Sequence, residues 1–97
     1  MIGFIYILKS PNADKYYIGS TTKKSINIRL SYHKSDYLRF LKGKYGKVTS
    51  FDIIKEGDPY IELLEQFTIE NKKELLKYET DILKKHKGNG LIVNKRF

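Results

Sequence analysis

The chain has 97 residues, no cysteine and a formal net charge of +8. This length supports one hydrophobic core, so we expect a single domain over residues 1–97, and the lack of cysteine excludes a disulfide framework, thiolate metal ligands and a thiol nucleophile. The apolar run at residues 1–8 is too short to span a bilayer and lacks the features of a secretory signal, which predicts a soluble intracellular protein.

The positive charge is concentrated in the N-terminal half. Residues 1–50 contain ten Lys or Arg against two acidic residues, whereas nine basic and nine acidic side chains cancel in residues 51–97. This asymmetry favours a polyanion such as nucleic acid as the partner. Two interpretations are weaker. The charge could simply keep a small protein soluble, and binding to a membrane surface would need a basic amphipathic helix with a wide apolar face, which the sequence does not predict.

Two apolar strands open the predicted fold. Residues 2–9 are rich in Ile, Phe and Tyr and indicate a strand that is buried on both faces. Turn residues at 10–14 (SPNAD) precede a second strand at 15–20 (KYYIGS). The spacing predicts that the two strands form a hairpin.

A helix is predicted after the hairpin, from about residue 23 to residue 37. Thr21 or Thr22 is placed to cap its first turn. Ile26 and Leu30 lie four residues apart, as expected for side chains that share the buried stripe of a helix.

The middle of the chain has a less regular pattern. Residues 40–47 (FLKGKYGK) are basic and interrupted by glycine, which predicts a loop. Residues 50–58 (SFDIIKEGD) fit either a short helix capped by Ser50 or a strand. Residues 60–67 (YIELLEQF) predict a third strand.

A second long helix and a short extended segment complete the chain. Asn71 and Glu74 have the spacing of a capping box, so the helix should begin there and continue to about His86. KGNG ends it, and residues 91–94 (LIVN) are expected to be extended. The order β-β-α-(α)-β-α predicts an α+β fold, a small α/β sandwich in which helices flank a three-stranded, largely antiparallel sheet.

Glu79 is the polar residue that core packing explains least. Its neighbours one helical turn away are all apolar: Leu75, Leu76, Ile82 and Leu83. Because an unpaired carboxylate is costly among apolar side chains, Glu79 should pair with a cation, accept hydrogen bonds or bind a metal ion. A structural salt bridge at the edge of the core is the alternative.

Five further polar positions invite a functional interpretation. Arg29 and His33 are four residues apart on the first helix and therefore share a face. Tyr6 and Tyr17 lie on paired strands, and Asn94 lies near the end of the chain. Each also has an ordinary structural explanation: a solvated helix surface, core packing with the hydroxyl at the boundary, or closure of a turn.

Taken together, these residues resemble the GIY-YIG nuclease family. The matching positions follow the family's order over nearly the whole chain: Phe4-Ile5-Tyr6, Tyr17-Ile18-Gly19-Ser20-Thr21, Arg29, His33, Glu79 and Asn94. One departure is Phe4, which stands where the first triplet has glycine, while Gly3 lies one residue earlier. Residues 38–58 fit the family less clearly and are where substrate contacts specific to this chain are expected.

The resemblance implies an endonuclease that hydrolyses DNA phosphodiester bonds with one Mg²⁺ or Mn²⁺ ion held by Glu79. Arg29 would bind the scissile phosphate and neutralise charge in the transition state. Tyr6 would act as the general base, and Tyr17 would hydrogen-bond the phosphate or the hydrated metal. The roles of these two tyrosines are interchangeable at this level.

The remaining motif residues would support this chemistry. His33 would accept the proton of Tyr6, since a free phenol is a poor base at neutral pH. Asn94 would donate to the phosphate or hold the site together, and Gly19 would leave the backbone open where a phosphodiester approaches. Flanking DNA, with RNA as a second option, would be bound by a largely basic set: Gly19, Ser20, Thr21, Lys23, Lys24, Lys34, Arg39, Lys42, Lys44 and Lys47.

Three other interpretations compete with this one. Asp58-Pro59 followed by Glu70-Asn71-Lys72 loosely imitates the Asp…Glu-x-Lys metal site of another nuclease class, although Asn71-Lys72 also fits a helix cap. The main alternative is a non-catalytic DNA- or RNA-binding module of the same fold. A protein-interaction domain that binds an acidic partner is the third, although the sequence does not indicate a protein partner or an oligomer.

Overall fold

The structure, a computed structural model, describes residues 1–94. Strand β1 spans Ile2–Lys9, β2 spans Tyr17–Thr21 and β3 spans Tyr60–Thr68. They form one antiparallel sheet in the order β2-β1-β3, so β3 joins the β1–β2 hairpin on the free side of β1. The predicted antiparallel three-stranded sheet is confirmed.

Helices pack on both faces of this sheet. Helix α1 spans Ile26–Leu41, the one-turn helix α2 spans Phe51–Ile54 and α3 spans Lys72–His86, which continues into a 3₁₀ turn at Lys87–Asn89. The α+β fold predicted from the sequence is therefore confirmed. No helix within residues 1–94 has the length and apolar character needed to cross a membrane.

The central strand β1 explains why there are two cores. Its side chains alternate, so Ile5 and Ile7 pack towards Leu75 and Leu83 of α3, whereas Leu8 packs with the α2 residues on the opposite face. The middle of β1 is buried on both faces, as the sequence predicts. β3 is different: it lies at the sheet edge and most of its side chains are exposed.

Helix α1 begins and ends later than the sequence predicts. Its N-cap is Ser25, whose hydroxyl accepts a hydrogen bond from Ile28 N–H at 3.4 Å. Thr21 is unavailable as a cap because it pairs with Phe4 as the last residue of β2. Leu30 is half-buried, as is Ile26, and the fully buried residue of α1 is instead a histidine.

The far end of α1 takes in the first two residues of the predicted 40–47 loop. The ring of Phe40 lies 5.2 Å from that of Phe51, measured between centroids, and this contact fixes the last turn of α1 against α2. The ambiguous segment at 50–58 opens with helix α2 and not with a strand. Ser50 occupies the N-cap position of α2, but its side chain makes no capping hydrogen bond.

The predicted capping box begins α3. The side chain of Asn71 accepts a hydrogen bond from Glu74 N–H at 3.0 Å, and the Glu74 carboxylate accepts one from Glu70 N–H at 3.3 Å. After α3, Gly90 adopts a φ of +69°, which ends the 3₁₀ turn. The extended segment that follows pairs in parallel with β2 through a bridge between Ile92 and the residue before that strand.

Candidate active site

Tyr6 and Tyr17 extend from the same face of the β1–β2 hairpin. Tyr6 pairs with Gly19 and Tyr17 pairs with Leu8, so the two phenols are diagonal neighbours, with ring centroids 6.5 Å apart. A Cβ atom on Gly19 would lie 2.6 Å from Tyr6 Cζ and 2.9 Å from Tyr17 Cε1. Gly19 therefore makes room for the two rings, whereas the sequence suggests that its bare backbone faces a phosphodiester.

A buried hydrogen-bonded chain connects Tyr6 to α1 and α2. The Tyr6 hydroxyl lies 2.7 Å from His33 Nε2, and His33 Nδ1 lies 3.2 Å from Ser50 Oγ. All three side chains are at most 2 % exposed. A neutral imidazole has one donor and one acceptor nitrogen, so both ring nitrogens of His33 are satisfied by these two hydroxyls.

Burial keeps the Tyr6–His33 pair uncharged. Burial raises the pKa of the Tyr6 phenol above its usual value, and the nearby positive charge of Arg29 opposes this only in part. Burial, aided by the same Arg29 charge, lowers the pKa of His33 to about 3. At neutral pH the pair therefore consists of a neutral phenol and a neutral imidazole.

Arg29 lies one helical turn before His33 and is half-buried. Its guanidinium lies close enough to both phenols to lower the pKa of Tyr6 and of Tyr17, although burial raises both pKa values overall. None of the ion pairs formed within residues 1–94 includes Arg29. Most of its five donors are therefore available to an anion.

Glu79 projects from α3 towards the same strand, β2. Burial raises the pKa of Glu79, and the Ser20 hydroxyl partly opposes this rise. Within residues 1–94 Glu79 forms no salt bridge, so no cationic side chain neutralises its carboxylate. Leu75 is buried but Leu76 is 54 % exposed, which places Glu79 at the edge of the apolar stripe instead of its middle.

Asn94 pairs with the outer edge of β2. Its Oδ1 accepts a hydrogen bond from Ile18 N–H at 2.9 Å, and its Nδ2 donates to Ile18 C=O at 2.8 Å. A side-chain amide thus supplies the two hydrogen bonds that a neighbouring strand would make. Because Ile18 lies between Tyr17 and Gly19, this pairing fixes the backbone that carries both residues.

The basic residues predicted to bind nucleic acid lie in separate places. Lys23 and Lys24 are in the loop between β2 and α1, next to Ser20, and Lys23 Nζ lies 4.8 Å from the ring centroid of Tyr32. Lys34 follows Arg29 by five residues, so it points about 140° away from Arg29 around the helix. Lys34 therefore does not share the face of α1 that carries the site.

A second basic group lies at and after the far end of α1. Lys42 and Lys44 follow this helix and are exposed. Arg39 forms an ion pair with Asp36 at 3.8 Å and also packs over a tyrosine ring, while Lys47 pairs with an aspartate at 3.9 Å. Lys42 is 13 residues beyond Arg29, a distance of about 20 Å along a helix.

The potential metal ligands around Glu79 suit a divalent cation that keeps much of its water better than a cation held tightly by several protein side chains. Within residues 1–94, no group of three or more His, Asp or Glu side chains is arranged to hold a metal. Mg²⁺ commonly binds through one or two carboxylates, retains water and takes substrate phosphate as a further ligand. The alternative site suggested by Asp58, Glu70 and Lys72 is not formed, because Asp58 precedes and Glu70 follows the 9-residue strand β3, which separates them by about 30 Å.

Ser50 is the site residue that sequence reasoning missed. The sequence predicts it only as a helix cap, but in the structure its hydroxyl is the partner of His33 Nδ1. The contact depends on the packing of α2 against α1, which brings together residues 17 positions apart. No local pattern in the sequence signals it.

Comparison with known proteins gives one match. The model of the GIY-YIG catalytic domain matches residues 2–91. This span contains the two tyrosines, Gly19, Arg29, His33, Ser50 and Glu79, and it ends before Asn94. No curated protein and no solved structure matches the chain.

Proposed function

The chain belongs to the GIY-YIG family of nucleases, and we propose that it is an endonuclease that hydrolyses DNA phosphodiester bonds with the help of one divalent cation, Mg²⁺ or Mn²⁺. The proposal treats residues 1–97 as one catalytic domain. The observation that carries it is the 2.7 Å hydrogen bond between the Tyr6 hydroxyl and His33 Nε2, next to an arginine whose donors are largely unused.

Substrate binding in this proposal begins with Arg29. Its planar donors contact the scissile phosphate in two places and neutralise the charge that develops on phosphorus-bound oxygens. The Tyr17 hydroxyl forms no hydrogen bond within residues 1–94, so it is available to the phosphate or to a bound water. Tyr17 lies within van der Waals reach of the Tyr6–His33 pair, since its ring centroid is 5.8 Å from that of His33.

Proton transfer runs from water to Tyr6 and from Tyr6 to His33. As the water oxygen attacks phosphorus, its proton moves to the Tyr6 oxygen while the Tyr6 proton moves to His33 Nε2, and the bond to the leaving oxygen breaks. The step requires Nε2 to be the unprotonated nitrogen, with Nδ1–H donating to Ser50. Because Tyr6 contacts the imidazole directly, we assign it, and not Tyr17, as the base.

Substrate binding makes this proton transfer easier. The charge of Arg29 contributes to the low pKa of His33, after burial itself. A phosphate bound to Arg29 offsets that charge, so the pKa of His33 rises in the complex. The imidazole is thus a better proton acceptor when substrate is present than when it is absent.

The cation would be held by the Glu79 carboxylate. When bound, it supplies positive charge to the phosphate and the leaving oxygen. The protein contributes a half-buried carboxylate that lies near the Ser20 hydroxyl. Burial raises the pKa of Glu79 in the metal-free protein, so a cation also relieves an unfavourable buried charge.

The proposal is tested by comparing one arginine variant and one lysine variant, both on helix α1. Plasmid, branched and single-stranded DNA are incubated with the protein in Mg²⁺, in Mn²⁺ and in EDTA. We expect cleavage only with metal, a loss of at least about 10²-fold for Arg29→Ala, and near wild-type activity for Lys34→Ala. Cleavage in EDTA, or equal activity of the two variants, would contradict the proposal, and DNA binding without any cleavage would favour the non-catalytic module.

A further inference from the structure

A groove next to Glu79 is not used by the chemistry proposed above. It has a volume of about 260 Å³ and lies between residues 20–23, at the end of β2, and the first two turns of α3. Lys72, Leu75 and Leu76 form the α3 side of the groove. None of these three residues is among the positions that the sequence links to DNA.

The groove is continuous with the candidate active site. Ser20 lines the groove, and its hydroxyl is also close enough to the Glu79 carboxylate to lower the pKa of that group. On α3, Lys72, Leu76 and Glu79 are spaced i, i+4 and i+7, so they lie along one face of the helix. A ligand whose reacting group lies at Glu79 therefore has the groove as its next contact along α3.

The lining of the groove combines an apolar floor with two cations. Leu76 is 54 % exposed and lies outside the cluster that packs against the sheet, so its side chain is open to a ligand in the groove. Lys23 and Lys72 stand on opposite walls, and neither takes part in the ion pairs formed within residues 1–94. An apolar surface between two unpaired ammonium groups matches a nucleoside that carries a phosphate on each side.

We propose that this groove binds the nucleotide adjacent to the scissile phosphate, with its sugar and base against Leu75 and Leu76 and its outer phosphate at Lys23 or Lys72. This inference rests on the proposed nuclease function. It adds a subsite that fixes the cleaved strand relative to Glu79. The groove has room for a single nucleotide.

The first test uses thymidine 3′,5′-bisphosphate as a probe and needs no cleavage. In EDTA, we expect the methyl NMR signals of Leu75 and Leu76 to shift as the probe is added, and Lys72→Ala to weaken this binding about 3- to 10-fold. Lys73→Ala is the matched control, since the adjacent lysine does not line the groove. Shifts confined to other methyl groups, or equal binding by both variants, would overturn the subsite.

The second test separates the subsite from the nuclease proposal. Cleavage of an oligonucleotide is compared with cleavage of the same strand carrying an abasic nucleotide on either side of the cut. We expect one abasic position to raise KM for the wild type, and this penalty to disappear in Leu76→Gln but persist in Leu63→Gln, which changes an equally exposed leucine on β3. A KM penalty that is the same in all three proteins would overturn the subsite while leaving the nuclease function intact. Binding of the bisphosphate probe without any cleavage would instead support the subsite and contradict the nuclease function.

Discussion

The hydroxyl of Tyr6 has two roles that mutation can separate. Tyr6→Phe keeps the ring that fills the space above Gly19 but leaves His33 Nε2 without its buried partner, so the folded state should lose about 1–3 kcal/mol. Cleavage should fall by about 10²-fold or more, because the base is lost. Tyr17→Phe should lower cleavage without this loss of stability, since the Tyr17 hydroxyl has no hydrogen bond within residues 1–94.

These outcomes are measured by urea unfolding and by single-turnover cleavage with the wild type, Tyr6→Phe and Tyr17→Phe. Wild-type turnover by Tyr6→Phe would return Tyr6 to a packing role. Equal losses of stability in the two variants would show that the Tyr6–His33 hydrogen bond does not contribute to folding.

His33 makes stability depend on pH in a defined direction. Burial lowers the pKa of His33 to about 3 in the folded protein, against about 6.5 in an unfolded chain. Below about pH 6.5 the unfolded state therefore binds a proton at His33 that the folded state does not bind. The contribution of His33 to stability is complete above about pH 6.5 and is lost as the pH falls towards 3. Between pH 7 and pH 4, His33 should account for a loss of about 3 kcal/mol.

The contribution of His33 is isolated with His33→Gln. Free energies of unfolding are measured in urea at several pH values for the wild type and for this variant. The variant should lose less stability between pH 7 and pH 4 than the wild type does. Parallel pH profiles would show that His33 is not held neutral by the fold.

Among the elements, the β1–β2 hairpin sets the geometry of the site through Gly19. A methyl group at this position would overlap the Tyr6 ring, which is held by His33 and cannot move freely. Gly19→Ala should therefore destabilise the protein by about 1–3 kcal/mol and displace the Tyr6 hydroxyl. Gly46→Ala is the control, since a Cβ at Gly46 meets no atom within 4 Å. The free energy of unfolding of both variants is measured in urea, and only Gly19→Ala should lose stability.

The sequence predicts the elements well where one signal dominates. β1 has a long apolar run, and α3 has a capping box with no competing residue nearby. The start of α1 is mispredicted because Thr21, Thr22 and Ser25 are all suitable caps. Pairing in β2 removes Thr21, and the helix begins after Ser25. Local patterns do not contain that tertiary information.

For the site, the sequence predicts most of the residues but not the contacts between them. The pattern of residues brings Tyr6, Arg29 and His33 to attention, but their mutual contacts arise from the packing of α1 on the hairpin. Gly19 indicates that something approaches the backbone closely, yet only the structure shows that the Tyr6 ring does so. Ser50 carries no sequence signal, because its partner is reached through the packing of α2.

At the scale of the whole molecule, the basic N-terminal half predicts a long electrostatic footprint. Lys44 lies in the group beyond α1 and forms no ion pair within residues 1–94, in contrast to Lys47. Lys44→Ala should weaken DNA binding evenly across sequences and lower the salt slope by about 1, while cleavage at saturating DNA stays nearly unchanged. Lys84→Ala, which removes an exposed lysine from the charge-balanced half, should change neither quantity.

Binding of a labelled duplex in EDTA at several salt concentrations checks this prediction. An unchanged slope for Lys44→Ala would remove the loop after α1 from the footprint. The same decrease for Lys84→Ala would show that net charge, and not a defined surface, governs binding.

The central claim is that Glu79 holds the cation for phosphodiester hydrolysis, and Glu79→Gln tests it most directly. The amide keeps the shape of the side chain and an oxygen that can accept from a neighbouring hydroxyl, but it lacks the charge that a hard cation requires. Mg²⁺-dependent cleavage is measured together with the melting temperature and with DNA binding in EDTA. We predict that cleavage is abolished, that DNA binding is retained and that the melting temperature is unchanged or higher, because a costly buried charge has been removed. Retained cleavage, or a loss of stability of about 3–5 kcal/mol as for a broken buried ion pair, would contradict the claim.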